Sequence, residues 1–271
     1  MNDNQLIDLL EKARSDNDPA HDIAKAMPDL TLLDAYRLQH GYKRRLAGQG
    51  DPHVGYRVSM TTRAGLIESV NLGILPPEAL DRPLNPVFTA LSQSNLGTDA
   101  CFVEAHPDYY MYAEAEVAMV IAKPLAGPGV TPERARMAVA GFYAGFDMAQ
   151  IPKNSPFGFQ HKVASACSPI DTRIILGPKM TEPTIDLRLE GVLVSIDGEA
   201  RASATAWECL GDPINAVAFL ANKLGEIGES LQPGQIVITG CLPIPQQIKP
   251  GERLACAEFT RLGRVTARIA A

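Results

Sequence analysis

The spacing of apolar positions along this chain changes near residue 48. Before it, apolar residues recur at three- and four-residue intervals. Gln5-Leu6-Ile7-Asp8-Leu9-Leu10-Glu11-Lys12 reads as an amphipathic helix. Thr31-Leu32-Leu33-Asp34 reads as a helix start, with Ala35, Leu38 and Tyr42 on one face. After Gly48-Gln49-Gly50 the chain becomes short apolar runs punctuated by Gly and Pro, the pattern of strands. Strands are expected at 54–60, 101–105, 113–122, 172–176, 189–197, 200–206, 235–239 and 253–269, the last broken at Gly263. Asp197-Gly198, between two such runs, predicts a hairpin turn. Thr131-Pro132-Glu133 is an N-cap followed by proline at the first helical position, predicting a helix to about Gly145. Asp212-Pro213 predicts another, ending at Leu224 with Gly225 as its cap. Many strands, few helices and few long βα alternations give an α+β class with a β-rich mixed sheet. Residues 1–50 form the helical segment and 51–271 the β-rich remainder.

Bulk composition narrows the function classes. The chain has 271 residues, of which 46% are hydrophobic and 21% charged, ordinary values for a soluble protein. A net charge of -6 argues against nucleic acid or an anionic membrane as the main partner. No run approaches the ~18 apolar residues of a membrane span. The first helix has no basic leader and no unbroken apolar core, so it is not a signal peptide. Cys101, Cys167, Cys209, Cys241 and Cys256 are scattered, odd in number and never in a C-x-x-C pair. That argues against a zinc site or a disulfide framework and for the reducing cytoplasm. No Gly-rich nucleotide motif is present.

The most informative run is Tyr112-Ala113-Glu114-Ala115-Glu116-Val117-Ala118-Met119-Val120-Ile121. Alternate strand residues share a face, so Glu114 and Glu116 point the same way, roughly 6–7 Å apart. Two carboxylates on an otherwise apolar strand need a cation, and a hard divalent ion prefers carboxylate oxygen. An edge strand with one solvated face explains the pair equally simply. His53 and His161 lack ligand spacing and read as structural. Trp207 and Phe219 fit a core or a subunit contact.

The order of landmarks carries a resemblance. Val54-Gly55-Tyr56-Arg57-Val58-Ser59-Met60-Thr61-Thr62 comes first, then the Glu-x-Glu strand with its Lys123-Pro124-Leu125 exit. Ala140-Gly141-Phe142-Tyr143-Ala144-Gly145-Phe146-Asp147 follows, then Asn222-Lys223-Leu224 and Gln235-Ile236-Val237-Ile238-Thr239-Gly240. This series resembles the fumarylacetoacetate hydrolase superfamily, closest to its 2-oxopent-4-enoate hydratase / 4-oxalocrotonate decarboxylase branch. The resemblance implies a rolled mixed sheet with N-terminal helices. It implies Mg²⁺ or Mn²⁺ held by Glu114, Glu116 and Asp147, and a small 2-oxo acid substrate. It places Gly55, Met60, Thr61 and Thr239 at the substrate. It also implies a homo-oligomer, or a complex with a related hydratase or decarboxylase. Hydration, decarboxylation, C–C hydrolysis and tautomerisation of 2-oxo acids share an enolate, so the metal site alone does not choose among them.

Three departures mark this chain within the resemblance. The hydratase branch reads Gly-x-Lys-Ile-Gly-Leu-Thr-Ser where Arg57 replaces the lysine. A guanidinium stays protonated and does not shuttle protons, but it clamps a carboxylate. The segment His161-Lys162-Val163-Ala164-Ser165-Ala166-Cys167-Ser168-Pro169 lacks the hydratase Asp-Asn pair. Lys162 and Pro169 match hydrolase spacing, which makes Lys162 the acid/base or anchoring lysine; a solvated loop lysine is the plain alternative. Asp147 stands where the hydratase branch carries Glu and the hydrolase branch Asp. Cys241, in Thr239-Gly240-Cys241-Leu242-Pro243, has no base beside it and reads as packing. The leading expectation is a Mg²⁺-dependent hydratase or decarboxylase. The runners-up are an acylpyruvate hydrolase, oxaloacetate decarboxylase or tautomerase, and a catalytically weak accessory subunit.

Overall fold

Two sheets built from widely separated parts of the chain carry the structure, a computed structural model that describes residues 3–15, 29–71, 75–153 and 171–270. Helix α1 (Asp3–Ser15) packs on α2 (Leu32–Gly48), which lies against the strands β1 (His53–Ser59) and β2 (Val87–Ser92). The Thr31 hydroxyl accepts from the Asp34 N–H, as the sequence predicts for the start of α2. Tyr36 of α2 stacks on Phe88 of β2 with ring centroids 3.8 Å apart. Leu6, Ile7, Ala35 and Tyr36 join the same buried cluster as the sheet residues, so the helical segment shares the main core.

The larger sheet continues through β3 (Leu96–Thr98), β5 (Tyr109–Ile121), β6 (Val139–Pro152), β7 (Asp171–Leu176), β10 (Ile236–Ile238) and β11 (Gln246–Gln247). Its order is β2-β1-β10-β5-β6-β7-β3, with β11 also pairing β5. β1 and β10 run parallel, and Gly55 lies opposite Ile236. A Cβ on Gly55 would sit 1.9 Å from the Ile236 carbonyl oxygen, so only glycine lets these strands meet. The smaller sheet has the order β4-β13-β12-β8-β9. It uses β4 (Phe102–Glu104), β8 (Gly191–Ile196), β9 (Glu199–Thr205), β12 (Leu254–Phe259) and β13 (Gly263–Ala270). The predicted turn joins β8 and β9, with Asp197 and Gly198 at φ 50° and 82°. Contacts of β12 and β13 with β6 join the two sheets. A mixed, sheet-dominated α+β fold is what the patterning predicts.

One element differs in kind. The helix expected from Thr131 to about Gly145 is only α4 (Pro132–Met137), after α3 (Arg63–Asn71), which the pattern did not reveal. The Thr131 cap is real, its side chain accepting from the Arg134 N–H. From Val139 the chain is strand β6, the central partner of β5 and β7. Buried positions run almost without break from Gly141 to Gln150, so no two-residue alternation marks the strand. The second predicted helix, α5 (Ile214–Glu226), begins as expected, with the Asp212 carboxylate accepting from the Ile214 N–H. It runs past Gly225 to a cap at Ile227.

Candidate functional site

The antiparallel β5–β6 register places Glu114 opposite Asp147, with Glu116 two residues along β5 on the same face. One carboxylate oxygen from each of the three lies within 4.8 Å of the others. Glu116 and Asp147 are buried, and the Glu114 side chain is 14% exposed. This is the donor set a hard divalent ion takes, and the oxygens are close enough to share one. The solvated edge strand is excluded, because β5 is flanked by β10 and β6.

Each carboxylate is steered by a neighbour. The Gly240 N–H donates to Glu116 Oε2 at 2.5 Å, and the Thr172 hydroxyl donates to Asp147 Oδ1. Gly240 sits at φ 102°, and a Cβ there would lie 1.9 Å from the Thr61 hydroxyl oxygen. Glycine is required both for that backbone and for that closeness. The loop bearing Gly240 is pinned twice: the Thr61 hydroxyl donates to the Thr239 carbonyl, and that of Thr62 to the Cys241 carbonyl, both at 2.8 Å. Thr239 donates its own hydroxyl to the Val117 carbonyl at 3.0 Å.

Burial sets the protonation of the cluster. It pushes Glu114 up to about 7, with Asp147 adding to the rise and Arg57 opposing it. Glu116 is raised well above the carboxylate range by burial and then by Asp147 and Glu114; Arg57 and the Gly240 N–H oppose this. Burial raises Asp147 as well, against Arg57 and the Thr172 hydroxyl. Three charges packed this closely do not all ionise without a cation. Arg57 supplies one positive charge. Its Nε lies against Asp147 Oδ2, and Nη2 is 3.7 Å from Glu114 Oε2. Its side chain is only 10% exposed, so the guanidinium is buried with the carboxylates.

The other sequence-predicted positions divide. Gly55 faces the backbone of Ile236, where its service is strand contact. Met60, at the end of β1, adopts φ 62°, unusual outside glycine, and its Sδ accepts from the Ser69 hydroxyl at 3.8 Å. Thr61 and Thr239 have their hydroxyls committed to backbone carbonyls. Lys162 and His161 lie outside the described residues. Cys241 donates its thiol to the Pro243 carbonyl at 3.0 Å, and burial, then the nearby carboxylates, raise its pKa well above the ordinary value. It stays a thiol, the packing role expected of it. Thr172 and the Gly240 N–H were not singled out in the sequence. The signal for Gly240 was its place just after the apolar strand run, where it adopts φ 102°.

Comparison with known proteins agrees with this geometry. Residues 61–270 match the family model described as fumarylacetoacetate (FAA) hydrolase, C-terminal. The chain is 29% identical to 4-oxalocrotonate decarboxylase of Pseudomonas putida, over 99% of this chain and 98% of that one. It is 23% identical to 2-keto-4-pentenoate hydratase of Paraburkholderia xenovorans (strain LB400), over 91% of this chain and 87% of that one. Among solved structures it resembles 4-oxalocrotonate decarboxylase from Pseudomonas putida G7, complexed with magnesium and adipate. There the TM-score is 0.83 at 25% identity, over 100% of this chain and 99% of that one. No helix among the described residues is long and apolar enough to cross a membrane.

Proposed function

The chain belongs to the fumarylacetoacetate hydrolase C-terminal family, and from that premise we propose a divalent-metal-dependent lyase that decarboxylates or hydrates a 2-oxo or 2-hydroxy-dienoic acid in aromatic-compound catabolism. The observation that carries the reading is the β5–β6 register that gathers Glu114, Glu116 and Asp147. These three would hold Mg²⁺ or Mn²⁺. The ion supplies a Lewis acid for the negative charge that develops on the keto oxygen of the substrate. The likeness to 4-oxalocrotonate decarboxylases over almost the whole chain favours decarboxylation.

The chain's own residues have separate tasks in this scheme. The Gly240 N–H and the Thr172 hydroxyl orient Glu116 and Asp147. Arg57 holds a carboxylate of the acid, since its planar fork suits one and its fixed charge forbids base chemistry. Lys162 moves the proton at C3. Met60, Thr61 and Thr239 shape the floor on which the acid sits, and Gly55 sets the spacing of β1 beneath it. The catalytic part begins near residue 51, the helices before it serving as its cover. We place the enzyme in the reducing cytoplasm as a homo-oligomer; exposed Leu189 and Trp207, on two short helical turns that pack together, suit an association surface. A complex with a related hydratase or decarboxylase is compatible with the same surface.

The test is turnover of 4-oxalocrotonate and of 2-hydroxypenta-2,4-dienoate, with Mg²⁺ and with excess chelator. CO₂ release from the first, abolished by chelator, is the expected result. Turnover indifferent to chelator refutes the reading. Asp147, the hydrolase-type residue, favours a second reading: C–C hydrolysis of an acylpyruvate, or reaction of oxaloacetate. Both belong in the same assay. Metal binding without turnover of any of these acids would indicate the accessory subunit.

A further inference from the structure

We propose that Arg57 is a tethered counter-cation of the carboxylate triad, which a divalent metal must displace and which then turns to the carboxylate of the substrate. The inference rests on the reading that Glu114, Glu116 and Asp147 hold a divalent ion.

Arg57 projects from β1, which is separated from β5 only by β10. Its guanidinium meets two members of the triad, through Nε at Asp147 Oδ2 and through Nη2 at Glu114 Oε2. The third, Glu116, is near enough to act on the same charge. The guanidinium thus stands among the oxygens that a metal would need.

A magnesium ion binds carboxylate oxygen at about 2.0–2.1 Å in a strict octahedron. Two positive centres that close repel strongly in a buried site, where water screens little. A lysine at this position could relieve the repulsion by losing its proton. Arginine cannot, so its charge persists and relief comes from movement. Metal alone therefore binds against a resident competitor. A 2-oxo acid arriving with the metal offers the displaced guanidinium a new carboxylate partner. The two ligands should therefore bind with positive coupling, each tightening the other by the same factor.

The experiment is calorimetric titration of the full chain with Mn²⁺, with and without oxalate as a stable mimic of the carboxylate–keto pair. Arg57→Gln is expected to bind Mn²⁺ alone about tenfold tighter or more than the wild type, the scale of removing one partly screened charge. It is also expected to lose most of the tightening that oxalate gives. Arg57→Lys can shed its proton as the metal enters, so it is expected to fall between the wild type and Arg57→Gln. Equal or weaker Mn²⁺ binding by Arg57→Gln overturns the proposal while leaving the metal site intact. A lysine variant that binds Mn²⁺ more tightly than Arg57→Gln removes charge as the cause and overturns it too. Absence of Mn²⁺ binding in the wild type and both variants instead refutes the metal reading itself. If Arg57→Gln fails to fold, the Arg57 Nε–Hε resonance of the wild type, assigned by its loss in Arg57→Lys, decides the matter. It should shift as Mg²⁺ is added, and an unmoved signal at saturation overturns the proposal.

Discussion

Replacing Glu114 with glutamine is expected to stabilise the protein in chelator while removing its response to metal. The three carboxylates face a single guanidinium, so the cluster carries excess negative charge when all are ionised. The rise of Glu114 from 4.5 to about 7 measures its share of that cost. At about 1.36 kcal/mol per pH unit, the ionised side chain costs the folded state roughly 3 kcal/mol. The sign follows from the raised folded value. Between 4.5 and about 7 the folded chain binds more protons at this site than the unfolded chain does. The penalty is therefore complete above pH 7 and fades as pH falls toward 4.5. Glutamine keeps the shape and removes the charge. In excess chelator at pH 8, Glu114→Gln should melt roughly 6–12 °C above the wild type, taking about 2–4 °C per kcal/mol for a large domain. The advantage should shrink steadily on acidification to pH 5. Excess Mg²⁺ should raise the wild type and leave the variant unmoved. The assay is a thermal melt followed by circular dichroism across that pH series. A variant that melts at or below the wild type at pH 8 in chelator refutes the charge argument.

Three further outcomes can be checked directly. Oxalate should raise the melting temperature only with metal present, by about 2.7 kcal/mol of stability at a hundred times its dissociation constant; equal stabilisation in chelator would contradict this. Burial, then the Lys43 charge, lowers His40 to about 4, and burial, then Lys43 and His40, lowers His53 to about 3. Their folded values lie below the unfolded one, so stability falls as pH drops below 6.5, by about 1.4 kcal/mol per unit for each histidine. The double variant His40→Gln/His53→Gln should flatten that acid limb in denaturant titrations, and an unchanged slope would exclude the histidines as its source. Lys162→Ala is expected to lower kcat about a hundredfold or more with little change in KM, the pattern of a proton-transfer group; a change confined to KM would reassign it to binding.

The legible part of this fold lay where sequence pattern and burial coincide. β8 alternates buried and open positions, and Asp197-Gly198 joins it to β9, whose small and polar residues alternate along the sequence, so both strands and their turn could be read. β6 could not, because a central strand buried on both faces loses its alternation. Its alanines, and its glycines four residues apart, imitate a helix. The Glu114–Glu116 pair was readable from strand geometry alone. Asp147 was not, because it becomes a partner only through cross-strand register. Gly240 and Thr172 act through a backbone N–H and a hydroxyl donated across strands. Such contacts leave no local trace in a sequence. Arg57 drew attention as a residue type, but its ion pairs with Asp147 and Glu114 depend on β1 docking beside β10.

That docking also bears on the order in which the molecule assembles. β5 and β6 are neighbours in sequence and form a hairpin whose two arms already carry all three carboxylates. The strand bearing Arg57 reaches them only through β10, a segment from much later in the chain that pairs with both β1 and β5. Contacts between such distant segments are slow to form, because a long loop must close before they are rewarded. During synthesis the hairpin emerges well before β10, so its carboxylates meet water and free cations before the guanidinium has its place. The growing chain would thus present a loose, open ligand set first and a guarded one last. The closing of β10 against β1 and β5 is the event that converts one into the other.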